Sequence, residues 1–426
     1  MASLDSGTSL EEYKLELLKQ FKGKPISELP TPSFIVDMET VRANCKRMLD
    51  RVEALDLNLR FRPHIKTHKT IEITQLELGN GEKHKSVVAS TIREIRGVFP
   101  LVVSGMVDNV LYGVPPAKSK IPTLAEISSS MAAHGAKLLL MIDSLDQLHV
   151  LEEYRSKNPD IPVWSIFLKV DIGDHRAGQE VTASSFETLI EEAVSDQKGY
   201  VSLFGLYVHR GASYDSSGAY DARAHLQLEV QGVKTAAMIA QKYTSSRFVL
   251  SMGATPTAQI VDKEVEDWMK DLQSYGDVEI HAGNYAMLDI QQVATGLVTV
   301  SDVAGKVVAE VLSYYKDRDE YLVDAGVLAL AREPGRIPGI ALIDGQPLSG
   351  KRWVLTRVSQ EHGIISRRED AVNVAESTGS ATESWGIGEK VLLLPQHACI
   401  TSSMYQWYFA IENGVVSDVL IPWRGW

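Results

Sequence analysis

The sequence predicts an α/β fold, a (β/α)8 barrel of the TIM type followed by a β-rich C-terminal domain. Up to about residue 296, short apolar runs alternate with amphipathic segments, and from residue 297 strand follows strand with few helical stretches. Eight strand–helix units over this length fit a parallel barrel. The predicted domains are an N-terminal helical extension at 1–30, the barrel at 31–296 and the β-rich domain at 297–426.

The eight predicted barrel strands are short apolar runs. They are Leu57–Phe61, Ser86–Ala89, Asn109–Tyr112, Lys137–Ile142, Val163–Val170, Leu203–Val208, Phe248–Ser251 and Val278–His281. The segments between them are long enough for crossover helices. Such helices are predicted at Leu124–His134, Leu145–Ser156, Ser185–Val194, Ala222–Tyr243 and Thr257–Leu272. Ahead of the first strand, Thr31–Asp37 is predicted to be extended and Met38–Val52 helical.

The C-terminal third is predicted to consist mainly of strands. They are Val298–Val303, Val307–Tyr314, Tyr321–Val323, Ile340–Ile343, Trp353–Val358, Val391–Leu394 and Trp407–Ile411. Between two of them, Asn373–Ser384 is rich in Ser, Thr, Ala and Glu without periodicity, which predicts a mobile surface loop.

Composition narrows the class of partner. The 426 residues are 44% hydrophobic, enough to build large cores, and the net charge is −12. Lys and Arg form no long block, which argues against nucleic acid or an anionic membrane as the main partner. Only two cysteines occur, and no apolar run reaches about 18 residues. We therefore expect a cytoplasmic protein with a small-molecule ligand.

Lys66 is the first candidate catalytic residue. It follows the strand predicted at Leu57–Phe61, and Thr67 is placed to cap a following helix. This puts Lys66 at the carboxyl end of a barrel strand, where functional groups of such barrels lie. Basic neighbours in the sequence would favour the neutral amine, which can form a Schiff base with an aldehyde cofactor. A basic helix start that merely meets solvent is the alternative interpretation.

Three later stretches follow barrel strands. Tyr207 and His209 end the sixth strand and share one face by its two-residue period, although they could simply satisfy each other in the interior. Small residues follow the seventh strand around Thr255, and Gly283 and Asn284 follow the eighth. Phosphate sites after strands seven and eight recur in such barrels, so these two loops are candidates for phosphate binding.

In the β-rich domain, His397 and Cys399 are separated by one residue at the end of an apolar strand. If the extended conformation persists, both side chains point to one face, and His nitrogen and Cys thiolate are ligands that zinc favours. A buried cysteine beside a capping histidine is the alternative.

These motifs resemble those of the eukaryotic D-serine dehydratases, fold-type III pyridoxal-phosphate enzymes related to alanine racemase and D-threonine aldolase. The resemblance spans nearly the whole chain. The motifs that carry it are Pro63–Thr70, Lys169–Gly173, Gly253–Thr257, Gly283–Tyr285, Ser359–Gly363, Pro395–Ile400 and the closing Trp426.

The resemblance implies a site and a reaction. Lys66 would carry pyridoxal 5'-phosphate; Thr255, Gly283 and Asn284 would hold its phosphate; and Tyr207 and Tyr214 would lie beside it, with Tyr207 at the pyridine nitrogen. His397 and Cys399 would bind Zn²⁺, leaving a possible third ligand unidentified. The implied reaction converts D-serine to pyruvate and ammonia by α-proton abstraction and zinc-assisted loss of hydroxide, and the implied assembly is a homodimer.

Three alternatives stay open. A D-threonine aldolase or a 3-hydroxy-D-aspartate dehydratase would use the same lysine and a metal near the substrate hydroxyl. The metal-ligand pattern of the aldolase family is His-x-Asp, whereas in this sequence Cys399 supplies a thiolate in place of the carboxylate. A non-catalytic pyridoxal-phosphate carrier resembles the barrel alone and lacks the long β domain.

Overall fold

The computed structural model describes residues 10–195, 199–370 and 384–426. These residues form two compact units. The barrel unit contains Lys46–Lys66, Thr74–Gly283 and Gly425–Trp426. The β unit contains residues 10–45, Thr67–Ile73 and the described residues of Asn284–Arg424. The chain therefore passes between the units several times, once directly after Lys66.

The barrel unit is built on eight parallel strands, which confirms the predicted fold class. In spatial order they are Arg60–Pro63, Asp277–Ala282, Val249–Met252, Val201–Val208, Trp164–Asp171, Lys137–Ile142, Asn109–Tyr112 and Ser86–Ala89. An isolated parallel β-bridge between His64 and Val88 joins the last strand of this order to the first. All eight predicted strands are present, with bounds that differ by up to three residues.

Helices follow the strands, as the βαβ pattern requires. In the barrel unit they are Ile92–Val103, Ile121–Ala132, Leu145–Lys157, Ser184–Val194, Ala219–Ala240, Thr255–Ala258 and Glu266–Gln273. Two further helices, Met38–Glu53 and Ile71–Glu77, have residues in both units. The single helix predicted at Thr257–Leu272 is wrong, because a 3-10 turn at Lys263–Val265 separates two shorter helices.

Thr67 does not cap a helix, so that prediction is also wrong. Residues 65–68 form turns, and the next helix begins at Ile71. The Thr67 hydroxyl instead lies 3.0 Å from the Cys399 sulfur, and its carbonyl accepts the Ser402 hydroxyl. Lys69 has φ of 54°, a left-handed conformation that a helix cannot contain.

The β unit is a nine-stranded, mostly antiparallel sheet. In spatial order its strands are Glu320–Val323, Gly363–Asp370, Gly350–Val358, Ala341–Ile343, Lys390–Pro395, Gly305–Tyr315, Ser33–Asp37, Tyr408–Glu412 and Val415–Leu420. The first strand of this order also pairs with Gly305–Tyr315, which closes six strands into a barrel. The β-rich C-terminal domain is thereby confirmed.

The strand predicted near residue 31 belongs to the β unit. Ser33–Asp37 lies between an antiparallel neighbour, Gly305–Tyr315, and a parallel one, Tyr408–Glu412. It therefore lies outside the parallel barrel, although it falls within the predicted barrel range 31–296. The domain limits at 30/31 and 296/297 themselves stay predictions.

Two predictions in the β unit need correction. The strand predicted at Val298–Val303 is a 3-10 turn at Val300–Asp302, because Thr299 and Asp302 cap each other across it. The strands Gly363–Asp370 and Val415–Leu420 were not predicted. The predicted loop Asn373–Ser384 lies outside the described residues except for Ser384.

The helix Leu10–Phe21 packs on the β unit. Its buried face, Tyr13, Leu17 and Phe21, joins a cluster with Phe409 and Val416. No helix in the described parts of the chain is long and apolar enough to cross a membrane.

Candidate active site

A pocket of about 360 Å³ lies in the barrel unit at the carboxyl ends of the strands. Residues at or near the ends of all eight strands line it. They include Lys66, Ser90, Gly113, Lys169, Tyr207, Ala254 and Gly283. This is the rim on which barrels of this kind carry their functional groups.

Lys66 reaches this pocket from the turn after the first strand. Opposite it, Gly283 presents no side chain: a Cβ there would lie 3.6 Å from the Lys66 Cε and 3.5 Å from the His64 Cβ. The His64 Nε2 lies 3.1 Å from the Ser90 hydroxyl, which fixes the imidazole beside the lysine. Space is therefore kept open around the amine.

Tyr207 forms an aromatic floor. Its ring stacks on His281 with centroids 4.0 Å apart and planes 9° apart, and the Lys169 ammonium lies 5.0 Å from its centroid. The His281 Nδ1 pairs with the Ser251 hydroxyl at 3.0 Å. Burial raises the pKa of Tyr207, so its hydroxyl stays protonated at neutral pH and can donate a hydrogen bond.

The three histidines around this floor have lowered pKa values, which favours their neutral form at neutral pH. Burial lowers the pKa of His64 and His281 well below the ordinary value, and burial together with Lys169 and Arg176 lowers that of His209 to about 3. The His209 Nδ1 donates to the Gly253 carbonyl at 2.8 Å. The positive charge at the pocket therefore comes from lysine and arginine rather than from imidazole.

Lys169 and Glu229 are buried side chains of opposite charge type that act on each other electrostatically. Burial and then Arg176 lower the pKa of Lys169 to about 7, while Glu229, Asp174 and Asp171 act in the opposite direction. Burial raises the pKa of Glu229 to about 8. The Glu229 Oε1 also accepts the Arg210 N–H at 2.8 Å, so this carboxyl holds the turn that follows His209.

Arg176 lines the pocket from a loop fixed by Asp171. The Asp171 Oδ1 accepts the backbone N–H groups of Gly173 and Asp174, both at 3.0 Å, and that of His175 at 3.2 Å. Although burial acts to raise it, these bonds lower the pKa of Asp171. A carboxylate bound in this way orders the loop that presents the Arg176 guanidinium.

The predicted cofactor residues fall in both units. Lys66, Tyr207, Tyr214, Thr255 and Gly283 line the barrel pocket together. Asn284 belongs to the β unit, where its Nδ2 donates to the Asp289 Oδ2 at 2.5 Å.

The predicted metal pair lies in the β unit, but not on an extended strand. His397 is the N-cap of the helix Ala398–Ser402, and Cys399 is in its first turn. Their side chains nevertheless interact: burial acts to lower the His397 pKa, but the hydrogen bond to Cys399 and the charges of Asp289 and Glu333 raise it to about 9. The Glu333 carboxylate lies 3.6 Å from the His397 Nδ1. Among the described residues, no group of three or more His, Cys, Asp or Glu is arranged to hold a metal ion.

Several pocket residues were not assigned a role from the sequence: Lys169, Arg176, His64 and His281. Lys169 and Asp171 alternate at the end of the fifth strand, a signal of the same kind that identified Tyr207 and His209. Arg176 lies in a loop, where no periodicity indicates direction.

Comparison with known proteins defines the class first. Residues 36–270 match the family described as "Alanine racemase, N-terminal domain", and residues 304–411 match "Putative serine dehydratase domain". The solved structure of D-threo-3-hydroxyaspartate dehydratase from Delftia sp. HT23 has a TM-score of 0.79 at 24% identity, covering 95% of this chain and all of that one. The chain thus has the alanine-racemase-like fold, a parallel barrel followed by an antiparallel β domain.

Relatives define the family. A D-serine dehydratase of Schizosaccharomyces pombe is 40% identical, over 98% of this chain and 97% of its own length. A D-serine dehydratase of Saccharomyces cerevisiae is 31% identical, over 96% of this chain and all of its own. The chain belongs to the D-serine dehydratase family, whose members are pyridoxal-phosphate-dependent lyases.

Proposed function

We propose that this protein converts D-serine to pyruvate and ammonia with pyridoxal 5'-phosphate and Zn²⁺. The observation that carries the proposal is the lysine of the barrel pocket, which faces a glycine and lies among aromatic and cationic side chains. Identity of 40% to a D-serine dehydratase over 98% of the chain supports this substrate over others.

The pocket residues fit the cofactor. Lys66 supplies the amine, Tyr207 a flat buried ring with a protonated hydroxyl for the pyridine nitrogen, and Tyr214 a further side chain beside it. Thr255 and Gly283 follow adjacent strands with little side-chain bulk, which suits a phosphate, and Lys169 adds cationic character. We assign Asn284 to the same phosphate.

The roles of the residues follow from this fit. When bound, the cofactor supplies an electron sink for the charge left at the substrate Cα. Lys66, once displaced by the substrate amine, is the base that takes the α-proton onto its Nζ. Lys169 and Arg176 supply positive charge that attracts the substrate carboxylate.

The metal would be held by His397 and Cys399. A His nitrogen and a Cys thiolate in mutual contact are a suitable pair for zinc. The pair provides two ligands, one fewer than the protein usually gives a catalytic zinc, which leaves positions for water and a substrate hydroxyl. Zinc lowers the pKa of bound oxygen groups and so eases departure of the β-hydroxide. One solved structure of a D-threo-3-hydroxyaspartate dehydratase, a mutant with alanine in place of a cysteine, is described as the metal-free form.

The decisive experiment is a pyruvate assay of the purified protein with D-serine and with L-serine, each with and without chelator. We expect pyruvate from D-serine alone, and its loss on chelation. Parallel assays with D-threonine and 3-hydroxy-D-aspartate address the rival reactions. Glycine and acetaldehyde from D-threonine as the dominant products, with no pyruvate from D-serine, would establish an aldolase instead, and no turnover of any substrate would favour a carrier.

We also propose that the protein is a cytoplasmic homodimer, on the family resemblance and the low cysteine content. Sedimentation equilibrium at working concentration should give twice the chain mass, and a monomer would exclude this assembly.

A further inference from the structure

Asp289 is a buried carboxylate whose two oxygens have separate partners. It is 0% exposed and begins the helix Ile290–Val293 in the β unit. Its Oδ1 accepts the Gln292 N–H at 3.0 Å, which caps that helix. Its Oδ2 accepts two other donors, the Asn284 side-chain amide at 2.5 Å and the Ala398 backbone N–H at 2.8 Å.

The two donors on Oδ2 come from the two places where we assign bound groups. Asn284 is assigned to the cofactor phosphate, and Ala398 is the residue between His397 and Cys399. A second bond, from the Gln291 N–H to the Gln396 carbonyl at 3.1 Å, runs between the same two segments. Two hydrogen bonds therefore hold the start of the helix Ile290–Val293 against the segment that contains His397 and Cys399.

We propose that Asp289 is a positioning residue that couples the cofactor site to the metal site. This inference rests on the proposed function, because it takes Asn284 as a phosphate contact and His397 with Cys399 as metal ligands. One oxygen atom holds both the Asn284 side chain and the backbone between the ligands. Neither donor can shift without weakening its bond to that oxygen, so binding that orders one segment favours the bound arrangement of the other.

The coupling needs an acceptor at Oδ2. Hydrogen bonds to a buried carboxylate are about twice as strong as those between neutral groups, and an unsatisfied buried N–H is costly. An amide nitrogen at the same place would present hydrogen atoms to two N–H donors. The arrangement therefore depends on the carboxylate and not only on the shape of the side chain.

The test is Asp289→Asn in the full-length holoenzyme. This change leaves an oxygen for the Gln292 N–H and replaces the shared acceptor by NH2. Zinc affinity is measured by competition with a chromogenic chelator, with and without saturating pyridoxal phosphate, and cofactor affinity by its absorbance. We expect the wild-type protein to bind zinc more tightly with the cofactor than without it. In the variant, zinc affinity should fall about ten- to a hundredfold, and the effect of the cofactor should disappear.

A control removes a different helix cap. Ser144→Ala deletes the bond from the Gln147 N–H to the Ser144 hydroxyl, at the start of Leu145–Lys157 in the barrel unit. It should leave both affinities and their coupling unchanged. If Asp289→Asn does not fold, Asn284→Ala provides the second route, because it removes one of the two donors and keeps Asp289. It should make zinc affinity insensitive to the cofactor.

The outcomes separate this inference from the proposed function. A wild-type protein that binds zinc and cofactor independently overturns the coupling and leaves the proposed function intact. A variant that loses thermal stability but keeps both affinities and their coupling assigns Asp289 a purely structural role. A wild-type protein that binds no zinc overturns both.

Discussion

At the residue scale, Lys66 and Lys69 differ in their surroundings although only two residues separate them. Lys66 lines the barrel pocket, whereas Lys69 belongs to the β unit, where its carbonyl accepts the Trp423 N–H at 2.9 Å. Lys66 is therefore placed to react with a cofactor in the pocket, whereas Lys69, three positions later, makes a backbone hydrogen bond in the β unit.

Borohydride reduction of the holoenzyme, followed by peptide mapping, should label Lys66. Lys66→Ala should lower turnover of D-serine by at least about a thousandfold, since it removes both the attachment point and the base. Lys69→Ala is the matched control and should retain activity. A cofactor label on Lys69 would contradict the assignment.

Lys169 makes stability depend on pH in a predictable direction. Its pKa is about 7 in the fold, against about 10.4 in an unfolded chain, so between these values the unfolded state binds more protons. The free energy of unfolding contributed by this group therefore rises with pH from about 7 to about 10, by at most about 1.4 kcal/mol per pH unit. Below pH 7 both states are protonated and the contribution is constant.

Urea unfolding of the cofactor-free protein at pH 7.5 and pH 9 tests this, with the fluorescence of its seven tryptophans as the signal. Lys169→Met should remove the rise, while the charged groups that face this position stay in place; they are Arg176, Glu229, Asp174 and Asp171. Equal pH dependence in the wild-type protein and the variant would show that Lys169 titrates normally.

At the element scale, a buried ion pair joins the neighbouring barrel strands Arg60–Pro63 and Asp277–Ala282. The Arg62 Nε lies 2.7 Å from the Glu279 Oε1, both side chains are 0% exposed, and Arg62 also donates to Asn109 at 2.6 Å. Glu279→Gln leaves a buried guanidinium without its counter-charge, so we expect a loss of about 3–5 kcal/mol in the free energy of unfolding.

Denaturant unfolding of the barrel unit measures that loss. Glu153→Gln is the control, because Glu153 pairs with Lys157 on the surface, where both are more than half exposed. Exposed pairs contribute little, so this variant should unfold as the wild type does. Similar behaviour of both variants would mean that Glu279 adds nothing to barrel closure.

The parallel barrel could be predicted because its strands are buried on both sides. In Lys137–Ile142, for example, every residue after the lysine is apolar and buried. The strand Gly363–Asp370 could not be predicted because five of its eight residues are Ser, Arg, Glu or Asp, and its strand character comes from pairing with Gly350–Val358. Val298–Val303 is apolar enough for a strand, but a local cap decides its conformation.

The site was predictable where a side chain follows a strand. Lys66, Tyr207, Thr255 and Gly283 meet in one pocket because parallel strands end at one rim. The contact of Thr67 with Cys399 joins residues 332 positions apart, and no local pattern indicates it. The role of Asp289 could not be predicted from the sequence for the same reason. Two of its three hydrogen-bond donors are a side chain, that of Asn284, and a residue far along the chain, Ala398.

At the scale of the whole molecule, the two units should have separable chemistry. Cys399→Ala removes a proposed metal ligand in the β unit and leaves the barrel pocket untouched. At saturating cofactor, which offsets any loss of coupled affinity, we expect the cofactor absorbance and D-serine binding to stay largely in place while pyruvate formation collapses. Exchange of the α-proton with solvent deuterium should survive, because Lys66 remains the base.

Spectroscopy, deuterium exchange and pyruvate assays on one preparation test this separation. Partial recovery of the chelated wild-type enzyme by other divalent ions is expected, since borderline metals accept the same ligands. Pyruvate formation at the original rate by a fully metal-stripped enzyme would make the pair structural and would refute zinc-assisted loss of hydroxide.

The sheet of the β unit also sets an order of assembly on the ribosome. Ser33–Asp37 precedes every barrel strand in the chain, yet its two neighbours, Gly305–Tyr315 and Tyr408–Glu412, emerge about 270 and 370 residues later. Every strand of the parallel barrel is made in that interval, so the barrel can mature while this strand has no partner. This strand therefore waits for both of its partners until the barrel strands have been made, and a chain that stops short of residue 408 leaves one of its edges open to other chains.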